Sequence, residues 1–170
     1  LAGKPLIAYS ILAAKASRYL TSFVVSTDDP ETADIAREFG ASVPFMRPSE
    51  LAQDDSGGLA VIQHAVGFLR DRGQTFDYVV LLQPTSPLRT AGDIDACIQK
   101  IVDTNSDSVM SMVELVDFSM KKLKRIESDV IVPFHEDEGP ITAPRHGLPR
   151  VYKRNGAAYL TRTALIMRGD

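Results

Sequence analysis

The chain has 170 residues, 44% of them hydrophobic and 24% charged, enough to bury one sizeable core without disulfides or metals and of the length of a single domain. With 19 basic against 22 acidic side chains the formal net charge is -3, which argues against an electrostatic footprint for nucleic acid or an anionic membrane, so an anionic ligand must be met by a local basic cluster. The single cysteine, Cys97, has no internal disulfide partner, and no run reaches the length of a membrane span or a signal peptide, which is a cytoplasmic profile.

Leu1-Ala2-Gly3-Lys4-Pro5 carries no initiator methionine and runs straight into an apolar stretch, so a missing N-terminus is expected. Leu6, Ile7, Ile11, Leu12 and Ala14 recur at helical spacing, with Pro5 tolerated in the first turn. Phe23-Val24-Val25 reads as a short strand, stopped by Ser26-Thr27-Asp28-Asp29-Pro30, a cluster suited to capping a helix that carries Ala33, Ile35, Ala36 and Phe39 and ends near Gly40. Val43 to Phe45 predicts a second short strand, followed by a polar loop from Arg47 to Gly58 and a helix carrying Leu59, Ile62, Val66 and Leu69. Tyr78 to Leu82 is a continuous apolar run, the pattern of a strand buried on both faces, and it breaks at Gln83-Pro84-Thr85-Ser86-Pro87. Ile94, Ile98 and Ile101 mark a fourth helix, and Ser108 to Val113 another buried strand. Strand and helix alternate, which predicts an α/β fold with a parallel sheet. After Glu114 the pattern changes: Lys121 to Arg125 is basic, Glu136 to Glu138 is acidic, and no long helical period returns, so this part reads as an excursion from the sheet. Ala164 to Met167 leads only to Arg168-Gly169-Asp170, an equally abrupt end with no closing helix or strand expected.

In open α/β sheets ligands sit beyond the carboxyl ends of the strands, which points to three loops: Ser26 to Asp29, Arg47 to Ser56, and Gln83 to Arg89. In the last, two prolines around Thr85-Ser86 fix the backbone and could hold the Gln83 amide towards a ligand; equally, they could only end a strand and start a helix, with Arg89 solvated. Arg47 offers five donors in a planar fork, suited to a phosphate or to the acceptor edge of a pyrimidine. Ser56 and the glycines after it allow the backbone near a base, whereas Asp54, Asp55 and Ser56 could each simply cap the next helix. Pro144 to Leu160 concentrates Arg145, His146, Arg150, Lys153 and Arg154, a cluster able to receive a carboxylate or phosphates, although Asn155-Gly156 could also be a tight hairpin turn between solvated bases. Lys121 to Lys124 reads as a solvated strand face, His64 has no assigned role, and Cys97 falls on an apolar helical stripe as an inert packed thiol. The sequence shows no metal-ligand spacing of His and Cys, no Gly-x-Ser-x-Gly elbow and no complete phosphate loop.

Taken together, GKPLIAYSI, STDD, RPSELAQDDS, LLQPTSPLR and YKRNGAAYL, in this order, resemble the N-acylneuraminate cytidylyltransferases over almost the whole chain. LLQPTSPLR and NGAAY are the distinctive parts. The resemblance implies a Rossmann-like nucleotidyltransferase fold, mainly a parallel sheet flanked by helices, as a single domain over 1–170 with a dimerisation arm at about 115–150 and a homodimer whose partner arm closes each site. It implies an enzyme that uses CTP and Mg2+ to join CMP to a nine-carbon acidic sugar (sialic, legionaminic or pseudaminic acid), releasing pyrophosphate. By the same resemblance Arg47 and Ser56 meet the cytosine, Gln83 contacts the sugar, Lys121 and Arg145 meet its carboxylate and polar groups in the partner subunit's site, and Tyr159 lines the sugar pocket with Asn155 close by. Ser119-Met120 stand where the family has a histidine and a proline. The glycine- and lysine-containing triphosphate loop is expected before Leu1 and the metal-binding aspartates after Asp170, so no metal ligand and no catalytic residue is assigned within the chain. Two other readings stand beside this one: a cytidylyltransferase for the eight-carbon 3-deoxy-manno-octulosonate, whose strand-end loop carries an aspartate where this chain has QPTSP, and a non-catalytic nucleotide-binding module.

Overall fold

A computed structural model describes residues 1–53, 56–116, 123–134 and 150–169. The elements are α1 (Leu6–Ala16), α2 (Pro30–Glu38), a 3₁₀ turn (Ser49–Leu51), α3 (Gly58–Arg70), β1 (Tyr78–Leu81), α4 (Ala91–Thr104), β2 (Ser108–Glu114), β3 (Lys124–Glu127), β4 (Val130–Pro133), β5 (Tyr152–Arg162) and α5 (Thr163–Arg168). No helix among the described residues is long and apolar enough to cross a membrane.

Two compact units divide the chain, one of Leu1–Ser111 with Gly156–Asp170, the other Met112–Asn155. In the first, β5 lies between β1 and β2. It runs antiparallel to β1, with Tyr78 opposite Arg162 and Leu81 opposite Tyr159. The α/β alternation expected from the sequence is present, but the direction of β5 was not legible in it. The crossover rule governs strands joined through a helix, as β1 and β2 are through α4, whereas β5 enters the sheet after the excursion and is free to run the other way. Parallel pairing is seen at the bridge between Val24 and Ser42, where Val25 N–H donates to Ser42 O at 2.9 Å. The strands expected at Phe23–Val25 and Val43–Phe45 shrink to that bridge because Pro44 has no N–H to extend a ladder.

Side chains alternate faces along a strand, so Ala158 and Leu160 of β5 share one face and meet Cys97 and Ile101 of α4, with Val80, Leu82 and Val109 packed around them. Cys97 is thus the inert packed thiol its spacing predicts, and burial pushes its pKa up. A second cluster joins Ile11 of α1 to Ala36 and Ala41, flanked by Phe23, Val25 and Phe39. The helix ends follow from local chemistry. Asp29 caps α2 by accepting from Thr32 N at 2.8 Å, and Thr90 with Asp93 forms a reciprocal capping box on α4. The final apolar run, for which no element was expected, forms α5, with Thr163 N–H donating to Asp77 O at 2.9 Å.

In the second unit β3 and β4 form an antiparallel hairpin with Glu127 opposite Val130. Ser128 and Asp129 sit at φ 50° and 65°, the double positive φ that a two-residue turn needs to match strand twist. Ile126 and Ile131 face each other across it and are 73% and 70% exposed.

Candidate active site

At the carboxyl end of β1 the chain folds into two successive turns, Ser86 N–H donating to Gln83 O at 3.3 Å and Arg89 N–H to Ser86 O at 3.2 Å. Arg89, expected as a solvated residue in one reading of this loop, is 6% exposed. Its Nη1 donates to Ser10 Oγ on α1 at 2.9 Å, its Nη2 to the Gln83 carbonyl and its Nε to the Ala157 carbonyl on β5. Ser10 Oγ in turn donates to Gln83 O at 3.4 Å. One buried guanidinium therefore ties the loop to a helix beside it and to the neighbouring strand. Desolvation lowers the Arg89 pKa, opposed by the Asp93 carboxylate at the start of α4. The prolines end the strand, as expected, but Arg89 is what fixes the loop in space.

Asn155-Gly156 is not a hairpin turn: both residues lie inside β5. Gly156 holds φ +77°, and a Cβ there would stand 3.0 Å from Gln83 Oε1 and 3.3 Å from Ser86 Oγ. The left-handed φ is what favours glycine here, and the side-chain ends of Gln83 and Ser86 lie directly against it. Tyr159, three residues on, is half-buried and pairs with Leu81, on the strand face opposite Ala158 and Leu160. Gln83 and Tyr159, both given to the sugar by the resemblance, are therefore delivered to the same strand end, with Gln83 exposed.

A second strand end carries Ser26 to Asp29. Three of its residues have separate tasks. Thr27 Oγ1 accepts from Asp29 N at 3.2 Å and so turns the backbone, and Asp29 caps α2. Thr27 O accepts from Arg47 N at 2.8 Å, drawing the next strand end alongside. Arg47 Nη2 donates to Asp28 Oδ1 at 2.5 Å, and this bond is the main cause holding the Asp28 carboxyl below its usual range. The Thr32 hydroxyl and amide do the same for Asp29. α1 braces both strand ends, through Ile11 beneath Phe23 and Val25 and through Ser10 at the Gln83 loop.

Ser56 Oγ donates to Glu50 O at 3.1 Å and accepts from Gln53 N at 3.1 Å, closing the loop around the 3₁₀ turn. It does not cap α3, whose cap is Gly57 without a side-chain bond; Asp54 and Asp55 lie outside the described residues, as do Lys121 and Arg145. Asn155 is exposed on β5 and belongs to the second unit, whereas Gln83 and Tyr159 belong to the first. His64, given no role, packs edge-on against Phe45 with ring centroids 4.9 Å apart. Of the Lys121 to Lys124 stretch, expected as a solvated strand face, Lys124 is exposed on β3, whereas residues 121 and 122 lie outside the described residues. Sequence reasoning missed two residues of the site. Arg89 closes the distinctive loop, and a long cation directly before a helix cap was the available signal. Asp28 was grouped with Asp29, and a second carboxylate beyond the one needed for capping was its signal.

The sequence matches the cytidylyltransferase family over residues 1–166. It is 30% identical over 157 residues to the pseudaminic acid cytidylyltransferase of Campylobacter jejuni, covering 92% of this chain and 67% of that one. It is 39% identical over 121 residues to the CMP-N,N'-diacetyllegionaminic acid synthase of Legionella pneumophila, covering 71% of this chain and 50% of that one. Among solved structures, CMP:2-keto-3-deoxy-manno-octonic acid synthetase complexed with CTP superposes with a TM-score of 0.67 at 18% identity, over 98% of this chain and 67% of that chain. That likeness establishes a Rossmann-like nucleotidyltransferase fold.

Proposed function

The chain belongs to the cytidylyltransferase family and is a CTP-dependent cytidylyltransferase, and on that premise we propose that it transfers CMP from CTP to the anomeric hydroxyl of a nine-carbon acidic sugar of the pseudaminic, legionaminic or sialic acid kind. Family membership sets aside a non-catalytic binding module. The relatives' names supply the acceptor class, and the observation that carries the reading to this chain is the rigid Gln83 loop, seated by Arg89 against Gly156 and sharing a strand end with Tyr159.

In the reaction the sugar hydroxyl oxygen attacks the α-phosphorus of CTP, the bond from that phosphorus to the β-phosphate bridge breaks, pyrophosphate leaves and the hydroxyl proton is lost. The residues here bind and orient. Arg47 presents donors to the acceptor edge of cytosine, and Ser56 Oγ, with one donor and one acceptor position already engaged, keeps a lone pair for the exocyclic amine. Gln83 and Tyr159 hold the sugar, and by the resemblance Lys121 and Arg145 serve the sugar's carboxylate in the partner subunit's site. A prefixed loop loses little entropy on binding, so the reacting hydroxyl is held in line with the phosphorus.

The resemblance also implies Mg2+. Among the described residues no group of three or more His, Cys, Asp or Glu side chains could hold a metal ion, and Asp28 and Asp29 are engaged by Arg47 and by the α2 cap. The described residues do not fit the metal.

The partner in this proposal is a second copy of the chain, with residues 115–150 as the dimerisation arm. The β3–β4 hairpin supports it: a two-stranded ribbon is marginal alone, and Ile126, Val130, Ile131 and Phe134 are all exposed on it. Phosphorus NMR of the intact protein with CTP, Mg2+ and pseudaminic or legionaminic acid tests the chemistry. A new phosphodiester signal with pyrophosphate is expected, and CTP left unchanged with every nine-carbon acid overturns the proposal.

A further inference from the structure

The geometry points to Asp28 as the positioning residue for Arg47, fixing the guanidinium in the orientation that reads the nucleotide base. This rests on the assignment of Arg47 to the nucleotide in the proposed function.

Three observations converge on it. First, the Ser26 to Asp29 turn uses Thr27 for its backbone bend and Asp29 for the helix cap, so Asp28 is the carboxylate with no local structural task, and it meets Arg47 at 2.5 Å. Second, the pair is lopsided: the Arg47 side chain is 23% exposed and the Asp28 side chain 42%. An ion pair this open to water contributes little to stability, yet its geometry is fixed further by the Arg47 N–H bond to Thr27 O at 2.8 Å. Third, the site holds buried polar atoms that the described residues leave unmatched. Arg47 Nε and Ser26 Oγ are both buried without a hydrogen-bond partner among the described residues. A buried donor without a partner costs stability, and such atoms are matched by an ordered water, an ion or a ligand.

A guanidinium is planar with its five donors in one plane. Anchoring one Nη2 proton on Asp28 therefore sets the plane, and with it the direction of the Nη1 edge and of the other Nη2 proton. Without that anchor the guanidinium loses its fixed plane and gives up that freedom only when the base binds, which weakens binding. Asp28 does not touch substrate in this arrangement; it acts through Arg47.

The test uses steady-state kinetics of the intact protein carrying Asp28→Ala, Asp28→Glu, Arg47→Ala and the Asp28→Ala/Arg47→Ala double substitution, with KM measured separately for CTP and for the acidic sugar. Asp28→Ala is expected to raise the KM for CTP about tenfold, the worth of one misdirected charge-assisted hydrogen bond, with the KM for sugar unchanged. Asp28→Glu recovers most of the loss. In the Arg47→Ala background Asp28→Ala adds nothing further, whereas a residue that only supports the fold would add its cost there too and would raise both KM values. If Arg47→Ala raises the KM for CTP while Asp28→Ala leaves it unchanged, the positioning role is overturned and the nucleotide site stands. If Arg47→Ala itself leaves the KM for CTP unchanged, the assignment of Arg47 fails first. A fall in the KM for CTP in Asp28→Ala makes the pair a latch that competes with nucleotide, and also overturns the proposal. Should Asp28→Ala fold poorly, Asp28→Asn, which keeps an acceptor oxygen but not the charge, is expected to show an intermediate rise confined to CTP.

Discussion

Arg89 Nη1 donates to Ser10 Oγ at 2.9 Å, joining groups 79 residues apart in the chain, while the other guanidinium nitrogens take up the carbonyls of Gln83 and Ala157. Three segments meet at one side chain. Arg89→Ala removes the guanidinium's hydrogen bonds to Ser10 Oγ and to the two carbonyls, and with hydrogen bonds to a charged group worth about 1.5–3 kcal/mol each the substitution is expected to lower stability by roughly 3 kcal/mol. Arg89→Lys should restore little of it, because an ammonium cannot reach three divergent acceptors as a planar fork does. Urea denaturation of the three proteins checks both statements, and wild-type stability in Arg89→Ala contradicts the bracing role.

Gly156→Ala forces an L side chain to φ +77° and puts its Cβ 3.0 Å from Gln83 Oε1. Strain of this kind costs on the order of 1–3 kcal/mol, and Gln83 must move to relieve it. The expected outcome is a modest loss of stability with a rise in the KM for the acidic sugar and no change in that for CTP. Gln83→Ala is expected to give the same kinetic signature, about tenfold on the sugar, without the loss of stability.

Thr90→Ala removes one half of the capping box on α4, and a loss of about 1 kcal/mol is expected in thermal unfolding. Neither KM should move, since Thr90 caps a helix and was assigned no ligand. A kinetic change here would show that loop and helix start are coupled more tightly than their hydrogen bonds indicate.

Asp95 accepts from Ser17 Oγ at 2.5 Å and from Arg18 N at 3.0 Å, and the Ser17 hydroxyl is the main cause that lowers its pKa from 3.8. A carboxyl depressed in the folded state stabilises fully above its unfolded value and loses that contribution as pH falls through the folded one. Asp95→Asn is therefore expected to be less stable than the parent at neutral pH, with the gap narrowing below the ordinary carboxylate value of 3.8. A gap that is constant across acid titration contradicts the charge-dependent account.

The α/β alternation was legible because it is written in local periodicity: the Ile94, Ile98, Ile101 stripe of α4 and the apolar run of β1 need no partner to be recognised. The direction of β5 was not, since it depends on how the chain returns from residues 112–155. Pro44 was in plain view, yet its effect on the Val24–Ser42 pairing appears only once the two segments are neighbours. Gln83 and Tyr159 were singled out through the motifs around them, and the structure brings them to a common strand end. Arg89 and Asp28 were harder, because a charged residue reads as solvated until its partners are known, and those partners, Ser10, Ala157 and Arg47, are distant in sequence. Asn155-Gly156 misled as a turn signal because the same glycine serves close approach of a loop as readily as a bend.

Acceptor choice tests the account most directly. Pyrophosphate release by the intact protein should be measured with CTP and Mg2+ across pseudaminic, legionaminic and sialic acids and 3-deoxy-manno-octulosonate. The account predicts release with at least one nine-carbon acid and a kcat/KM for it well above that for the eight-carbon sugar. Release with the octulosonate alone would contradict it.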